Sequence, residues 1–214
     1  MKKISLLLLL AIQGIFLQAQ APGTGLQIPK TAIKAAYLGS VAYPGFKIGV
    51  ELPYKVVQIE KAKRKGVKTF SSEYYLSANL GYYHHTTFHD NFFLLIEWQK
   101  RRQKASGWFW EMAPGAGYSR TFLGRETYTV SDEGVVDKKT LAGYNYALIS
   151  FSYGGGYNFS IKKKNPLKTY GKISLLGLFP YNSFIYLRPT VEVGIAYSPT
   201  RFWNANPNVK NKKK

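Results

Sequence analysis

Polar and apolar residues alternate along residues 184–197, FIYLRPTVEVGIAY. One parity is apolar, and the other carries Arg188, Thr190 and Glu192 in its middle. Successive side chains of a β-strand point to opposite faces, so this alternation predicts a strand with one apolar and one polar face. A half-buried strand of a soluble protein and a strand of a membrane barrel share this pattern, and the rest of the chain must decide between them.

The same alternation recurs along the chain and predicts an all-β protein. Strong alternation covers 43–54, 70–83, 91–101, 107–121, 143–159 and 183–198, and weaker alternation covers 28–38 and 168–178. Antiparallel membrane barrels are built from an even number of such strands. No long segment has the 3.6-residue apolar period of an amphipathic helix. After the N-terminal region, no apolar run reaches the roughly 18 residues of a membrane-spanning helix.

Nearly half of the few acidic residues of the chain fall inside the predicted strands. Against 30 Lys and Arg there are only 11 Asp and Glu, and five of these carboxylates take polar parity. A charge removed from bulk water must be paired, so an inward polar face needs cations, for which Lys47 and Arg188 have the right parity. The predicted interior charge network consists of Lys47, Glu51, Glu73, Glu97, Glu111, Arg188 and Glu192.

These observations favour an eight-stranded antiparallel transmembrane β-barrel, with aromatic residues such as Trp98 and Trp108 forming girdles at the membrane interfaces. The alternative is a soluble periplasmic β-sandwich or barrel, in which the apolar faces pack inside. Eight strands enclose a space that side chains just fill, so the predicted interior is closed and polar. A narrow solute pore is the alternative to a closed interior.

The N-terminus indicates export. Lys2 and Lys3 precede the apolar run ISLLLLLAI, and LQAQ supplies small residues before Ala21. This is the organisation of a cleavable secretory signal peptide. The absence of cysteine excludes disulfides and lipid attachment to cysteine. The predicted domains are a signal peptide at 1–20, a barrel at 21–198 and a basic C-terminal tail at 199–214.

The mature sequence resembles the small outer-membrane β-barrel proteins of Gram-negative bacteria, in particular those of Bacteroidetes type. The resemblance rests on QAQ at the cleavage site, on GVELPY and GAGY, and on the last strand. There Glu192, Gly194 and Tyr197 match the polar, glycine and aromatic positions of the signal that the insertion machinery reads. The resemblance implies an outer-membrane location and a structural or surface-interaction role, with no cofactor and no catalysis evident.

All three histidines of the chain lie in the segment YYHHTTFHDN. His84, His85 and His89 with Asp90 have the side-chain types of a zinc site. His85 or His89 would be the base or metal ligand of an outer-leaflet lipid-modifying hydrolase, which is the alternative function. Because the spacing matches no named motif, we favour a polar turn and a non-enzymatic role.

Basic residues concentrate in four predicted connections, 55–68, 99–105, 160–168 and 199–214, with net charges of +5, +4, +4 and +5. Strands alternate in direction, so these segments are predicted to share one rim with the C-terminus. Barrels of this class keep their termini in the periplasm. A basic periplasmic rim would attract membrane lipid through anionic head groups, or an acidic periplasmic partner. Nucleic acid is not an expected partner of an exported barrel.

Overall fold

The structure is a computed structural model that describes residues 28–40, 44–63, 66–86, 88–163, 165–181, 184–199 and 206–213. The predicted signal peptide at 1–20 lies outside these residues. Within them the chain forms eleven strands and one short helix. No helix in this part of the chain has the length and hydrophobicity needed to cross a membrane.

The secondary structure follows the alternation of the sequence. The elements are β1 (Ala32–Gly39), β2 (Gly45–Lys63), β3 (Gly66–His85), β4 (His89–Lys104), β5 (Trp108–Leu123), β6 (Tyr128–Val130), β7 (Val136–Lys138), β8 (Gly143–Asn158), α1 (Ser160–Lys163), β9 (Leu167–Tyr181), β10 (Phe184–Tyr197) and β11 (Asn208–Lys213). All eight predicted strands are present. The expectation that 55–68 and 99–105 are connections is wrong, because β2, β3 and β4 extend through most of these residues.

Eight of the strands close into a ring. Their order is β1-β10-β9-β8-β5-β4-β3-β2, and β2 pairs again with β1, with every pairing antiparallel. The ring confirms the predicted eight-stranded all-β fold. It is a single closed sheet, so the two facing sheets of the β-sandwich alternative do not occur. The register shifts only between Pro53 and Lys55 and between Phe184 and Tyr186 in the pairings described.

The alternating strand directions define two ends of the ring. The end at which β2 joins β3, β4 joins β5 and β8 joins β9 is named the terminal rim, since β1 begins and β10 ends there. The other end, the opposite rim, includes the 86–88 turn and the long 124–142 connection, which contains the β6–β7 hairpin. The basic segments of the sequence therefore lie toward the terminal rim.

The described part of the predicted C-terminal tail forms a strand. β11 runs parallel to β2, with Asn208 opposite Lys55 and Lys213 opposite Glu60. It occupies the edge of β2 that β1 leaves open, because β1 pairs with β2 only as far as Glu51. The sequence does not predict this strand, because residues 208–213, NVKNKK, contain a single apolar residue and so show no alternation.

The two faces of the ring have the opposite polarity to those of a soluble barrel. Among the most completely buried side chains are Arg101, Glu51, Glu97 and Glu111. Large apolar side chains are exposed on every strand of the ring. They include Ile33 and Tyr37, Phe46 and Ile48, Leu76 and Leu80, Phe92 and Leu94, Trp108 and Tyr118, Ile149 and Phe151, Ile173 and Leu175, and Val191 and Val193.

Candidate functional site

The seven residues predicted to form an interior charge network are all buried. Their exposed fractions are 3% or less. β2, β3, β4, β5 and β10 contribute them, and each points inward because it alternates with outward apolar neighbours on its strand. They are Lys47, Glu51, Glu73, Glu97, Glu111, Arg188 and Glu192.

Arg101 of β4 lies at the centre of one half of this network. Its Nε lies 2.7 Å from Oε2 of Glu111, and its Nη2 lies 3.1 Å from Oε1 of Glu51. The guanidinium is 4.6 Å from the ring centroids of both Tyr75 and Phe109. One buried cation therefore joins carboxylates of β2 and β5 across the ring and is held between two aromatic rings.

Lysines connect the other half of the network. Lys47 Nζ lies 2.6 Å from Oε2 of Glu192 and 3.6 Å from Oε2 of Glu97, which also lies 3.2 Å from Lys34 Nζ. Lys172 Nζ, on β9, lies 2.6 Å from Oε1 of Glu111 and 4.9 Å from the ring centroid of Tyr170, whose hydroxyl donates a hydrogen bond to Oε1 of Glu192. Tyr170 therefore connects the two groups of ion pairs.

The sequence prediction missed Arg101, Lys34 and Lys172. The sequence prediction places Arg101 among the charges of the 99–105 connection, although it shares parity with Glu97 on β4. That parity was the signal that could have found it. Arg188 lies nearer the opposite rim, with its guanidinium 3.4 Å from the ring centroid of Tyr83.

The interior is not polar throughout, which corrects the prediction. Between the charge network and the opposite rim lies a layer of buried apolar side chains. It consists of Leu38, Tyr83, Phe93, Leu95, Leu148, Leu176 and Leu178. Phe93 fits because Gly81 is directly opposite on β3, where a Cβ atom would fall inside the Phe93 ring.

Two cavities lie at the ends of the ring. A cavity of about 460 Å³ at the terminal rim is lined by residues that include Glu73, Gln103 and Lys168. A cavity of about 470 Å³ at the opposite rim is lined by residues that include Tyr146 and Arg188. The ion pairs of Arg101 and Lys47 and the apolar layer lie between them, so the described side chains occupy the middle of the ring.

The histidine segment forms the ends of β3 and β4 rather than one cluster. On one face, His84 Nδ1 lies 2.7 Å from Oδ1 of Asp90. On the other face, the rings of His85 and His89 stack with centroids 5.3 Å apart. Because neighbouring strand residues point to opposite faces, the four predicted ligands are split into two pairs. In the part of the chain that the structure describes, no group of three or more His, Cys, Asp or Glu residues is placed to hold a metal ion.

The two pairs at this rim also differ in protonation. Hydrogen bonds to His84 and Tyr82 hold the pKa of Asp90 below its ordinary value. Partial burial, followed by repulsion from His85, lowers the pKa of His89. An Asp90 carboxylate and a neutral His89 are therefore the favoured forms near neutral pH.

Comparison with known proteins finds similarity to a solved structure. No known protein-family profile matches the chain, and no curated protein matches it. Among solved structures, the N-terminal β-barrel domain of Pseudomonas aeruginosa OprF is similar, with 15% sequence identity and a TM-score of 0.40. The alignment covers 78% of this chain and 96% of that one. The eight-stranded ring is seen directly in the pairing of the strands.

Proposed function

We propose that this chain is an outer-membrane β-barrel whose apolar outer face contacts lipid and whose interior is closed, with a structural or surface-interaction role. The observation that carries the proposal is the inverted polarity of the ring, with salt bridges inside and exposed large apolar or aromatic side chains on all eight strands. A soluble barrel would have to hydrate this outer surface. A bilayer removes it from water.

The extent of the outer apolar surface fits a bilayer. Apolar outward residues run over 74–82 on β3 and over 187–197 on β10, and over the shorter stretch 92–98 on β4. A tilted transmembrane strand needs about 9 to 11 residues. Trp98 and Tyr197 end these runs near the terminal rim, as expected for interfacial aromatic residues.

The interior supports a closed barrel rather than a solute pore. A conducting pore requires a continuous water-filled path, whereas here the Arg101 and Lys47 ion pairs are followed by the apolar layer. The two end cavities lie on either side of these layers. The proposal therefore contains neither transport nor a catalytic step.

The membrane proposal is tested with the purified full chain. Added to phospholipid vesicles, it should float with them after a carbonate wash and should migrate faster on a gel before heating than after. Planar bilayers should show no steady conductance. Protein that stays in the aqueous fraction would contradict membrane insertion, and stable channels would contradict the closed interior.

We further propose that the terminal rim faces the periplasm and that the 124–142 connection is at the cell surface. The proposal is supported by the start of β1 and the end of β10 at the terminal rim and by the greater length of that connection. An epitope inserted at Asp132 should be accessible on whole cells, and one at Lys212 should be protected. The reverse pattern would mean that the barrel has the opposite orientation.

A further inference from the structure

Basic side chains cluster on the outer face of the ring in one sector near the terminal rim. The sector comprises the ends of β2, β3 and β4 and the start of β5. Its cations are separate from the buried ones of the interior, because they alternate with inward residues such as Arg101 and Gln103. The members of this outer basic patch are Lys55, Lys61, Lys68, Lys100, Arg102 and Lys104.

The strand register brings these cations together. Lys61 is opposite Lys68, and Lys104 is opposite Phe70 on the neighbouring strand. Arg102 is opposite Trp110 of β5. At the outward positions of this sector, the described residues include no carboxylate, so the patch has a strong net positive charge.

Aromatic rings hold several of the cations at the surface. The Arg102 guanidinium lies 4.0 Å from the ring centroid of Phe70, and the Nζ atoms of Lys55 and Lys100 lie 5.3 and 5.9 Å from that of Tyr74. Such contacts orient a cation while leaving its outer N–H groups available. A cleft of about 730 Å³ opens here, lined by cations of the patch together with Phe70 and Trp110.

The patch adjoins exposed apolar side chains on the outer face of β3 and β4. Leu76 and Trp98 are opposite each other and both exposed, and they lie two residues along their strands from the Tyr74–Lys100 pair. Two residues of strand span about 7 Å, and Arg102 and Lys104 lie a further two and four residues toward the rim. A phosphate bound by Arg102 and Lys104 therefore has this apolar surface about 13 to 20 Å away along the strand, within reach of an acyl chain.

We propose that the outer basic patch binds the phosphate head group of an anionic membrane lipid whose acyl chains lie against Leu76 and Trp98. The combination favours a lipid over a soluble anion, because only a lipid presents phosphate and hydrocarbon at this spacing. Lys and Arg near a membrane surface attract anionic lipid, and Arg binds phosphate with two N–H groups at once. This inference rests on the proposed membrane insertion.

The tryptophans of the chain provide the probe. Of its four tryptophans, Trp98, Trp108 and Trp110 lie in or beside the patch, and Trp203 is outside the described residues. The full chain with W203F is inserted into vesicles that mix phosphatidylcholine and phosphatidylglycerol, one of which is brominated. Quenching of tryptophan emission by each brominated lipid gives their relative binding constant at the sector.

We expect brominated phosphatidylglycerol to bind about tenfold more strongly than brominated phosphatidylcholine. The variant K68Q/R102Q/K104Q should lose most of this preference. The matched control R125Q/K138Q/K139Q removes three charges from the exposed 124–142 connection and should keep it. Equal quenching by the two lipids, or an equal loss of preference in both variants, would overturn the inference.

Two further results separate the sources of failure. Brominated phosphatidylcholine should quench every folded variant, and its failure to do so would contradict membrane insertion rather than lipid selectivity. Inorganic phosphate at millimolar concentration should leave the preference unchanged relative to chloride of equal ionic strength. If phosphate abolishes it, the patch binds a soluble anion and the lipid assignment is wrong.

Discussion

The inner and outer faces of β10 place opposite demands on neighbouring residues of the same strand. Arg188, Thr190 and Glu192 are buried, whereas Val191 and Val193 between and beside them are more than half exposed. On the inner face a charge is stable because an opposite charge lies within about 3 Å, as between Glu192 and Lys47. On the outer face the apolar side chains are exposed, and the proposed contact with lipid would remove them from water. Burial alone therefore does not predict which residue types a position tolerates.

Replacing Arg101, the central cation of the inner face, should have the largest effect on stability. Arg101→Leu would leave the Glu51 and Glu111 carboxylates buried without their main partner. Removing one member of a buried ion pair costs about 3 to 5 kcal/mol. The free energy of unfolding, measured by urea titration in vesicles, should fall by this amount.

The next residue provides the control. Arg102→Leu makes the same chemical change on the outer face of β4, where the side chain is exposed. We expect it to cost less than about 1 kcal/mol, as for a surface substitution. Equal effects of the two substitutions would contradict the separation of the faces.

A charge placed on the outer face tests the other half of the comparison. Val193→Arg puts a guanidinium on the exposed apolar surface of β10, where the cost near the bilayer midplane is about 2 to 4 kcal/mol. Val193→Leu keeps the surface apolar and should change the free energy of unfolding little. If both variants unfold at the same urea concentration, this surface does not face hydrocarbon.

The smallest expected effect concerns pH at the opposite rim. Burial and repulsion from His85 lower the pKa of His89, with Arg188 and His84 adding to the repulsion and Asp90 opposing it. Because the pKa of His89 is lowered in the folded state, the unfolded state binds more protons once the pH falls below the ordinary His pKa of about 6.5. The free energy of unfolding is therefore at its full value above that pH and decreases as the pH falls below it. The free energy of unfolding should therefore decrease slightly between pH 7 and pH 5.

His89→Gln removes the titrating group and should flatten this part of the pH profile. His84→Gln is the control, because it changes a neighbouring histidine on the other face of the strand pair. An unchanged slope in His89→Gln would assign the pH dependence to another group.

The sequence predicted the strands well because alternation is a local signal. Every predicted strand exists, and all five predicted inward carboxylates are buried. The strand ends are less predictable: the sequence predicts connections at 55–68 and 99–105, because their Lys and Arg content is typical of solvated turns. In the structure, these residues continue the alternation, with Arg101 inside and Arg102 outside.

The pairing of side chains within the ring was beyond a sequence prediction. Arg101 and Glu51 are 50 residues apart, and their contact depends on the closure and stagger of the whole ring. Likewise, Phe93 fills the interior only because Gly81 faces it on the next strand. The histidine segment shows a related limit. Its members are close in sequence, but strand alternation places His84 and Asp90 on one face and His85 and His89 on the other.

The proposed contact between the exposed apolar face of the ring and lipid can be tested directly on β10. Because the chain has no cysteine, single cysteines can be introduced along β10 and spin-labelled in vesicles. Labels at outward Leu187, Val191 and Ile195 should be accessible to oxygen and not to a water-soluble nickel reagent, and labels at inward Thr190 and Ala196 should be accessible to neither. Outward labels that respond more strongly to the nickel reagent than to oxygen would show that this face contacts water, and would contradict contact with lipid.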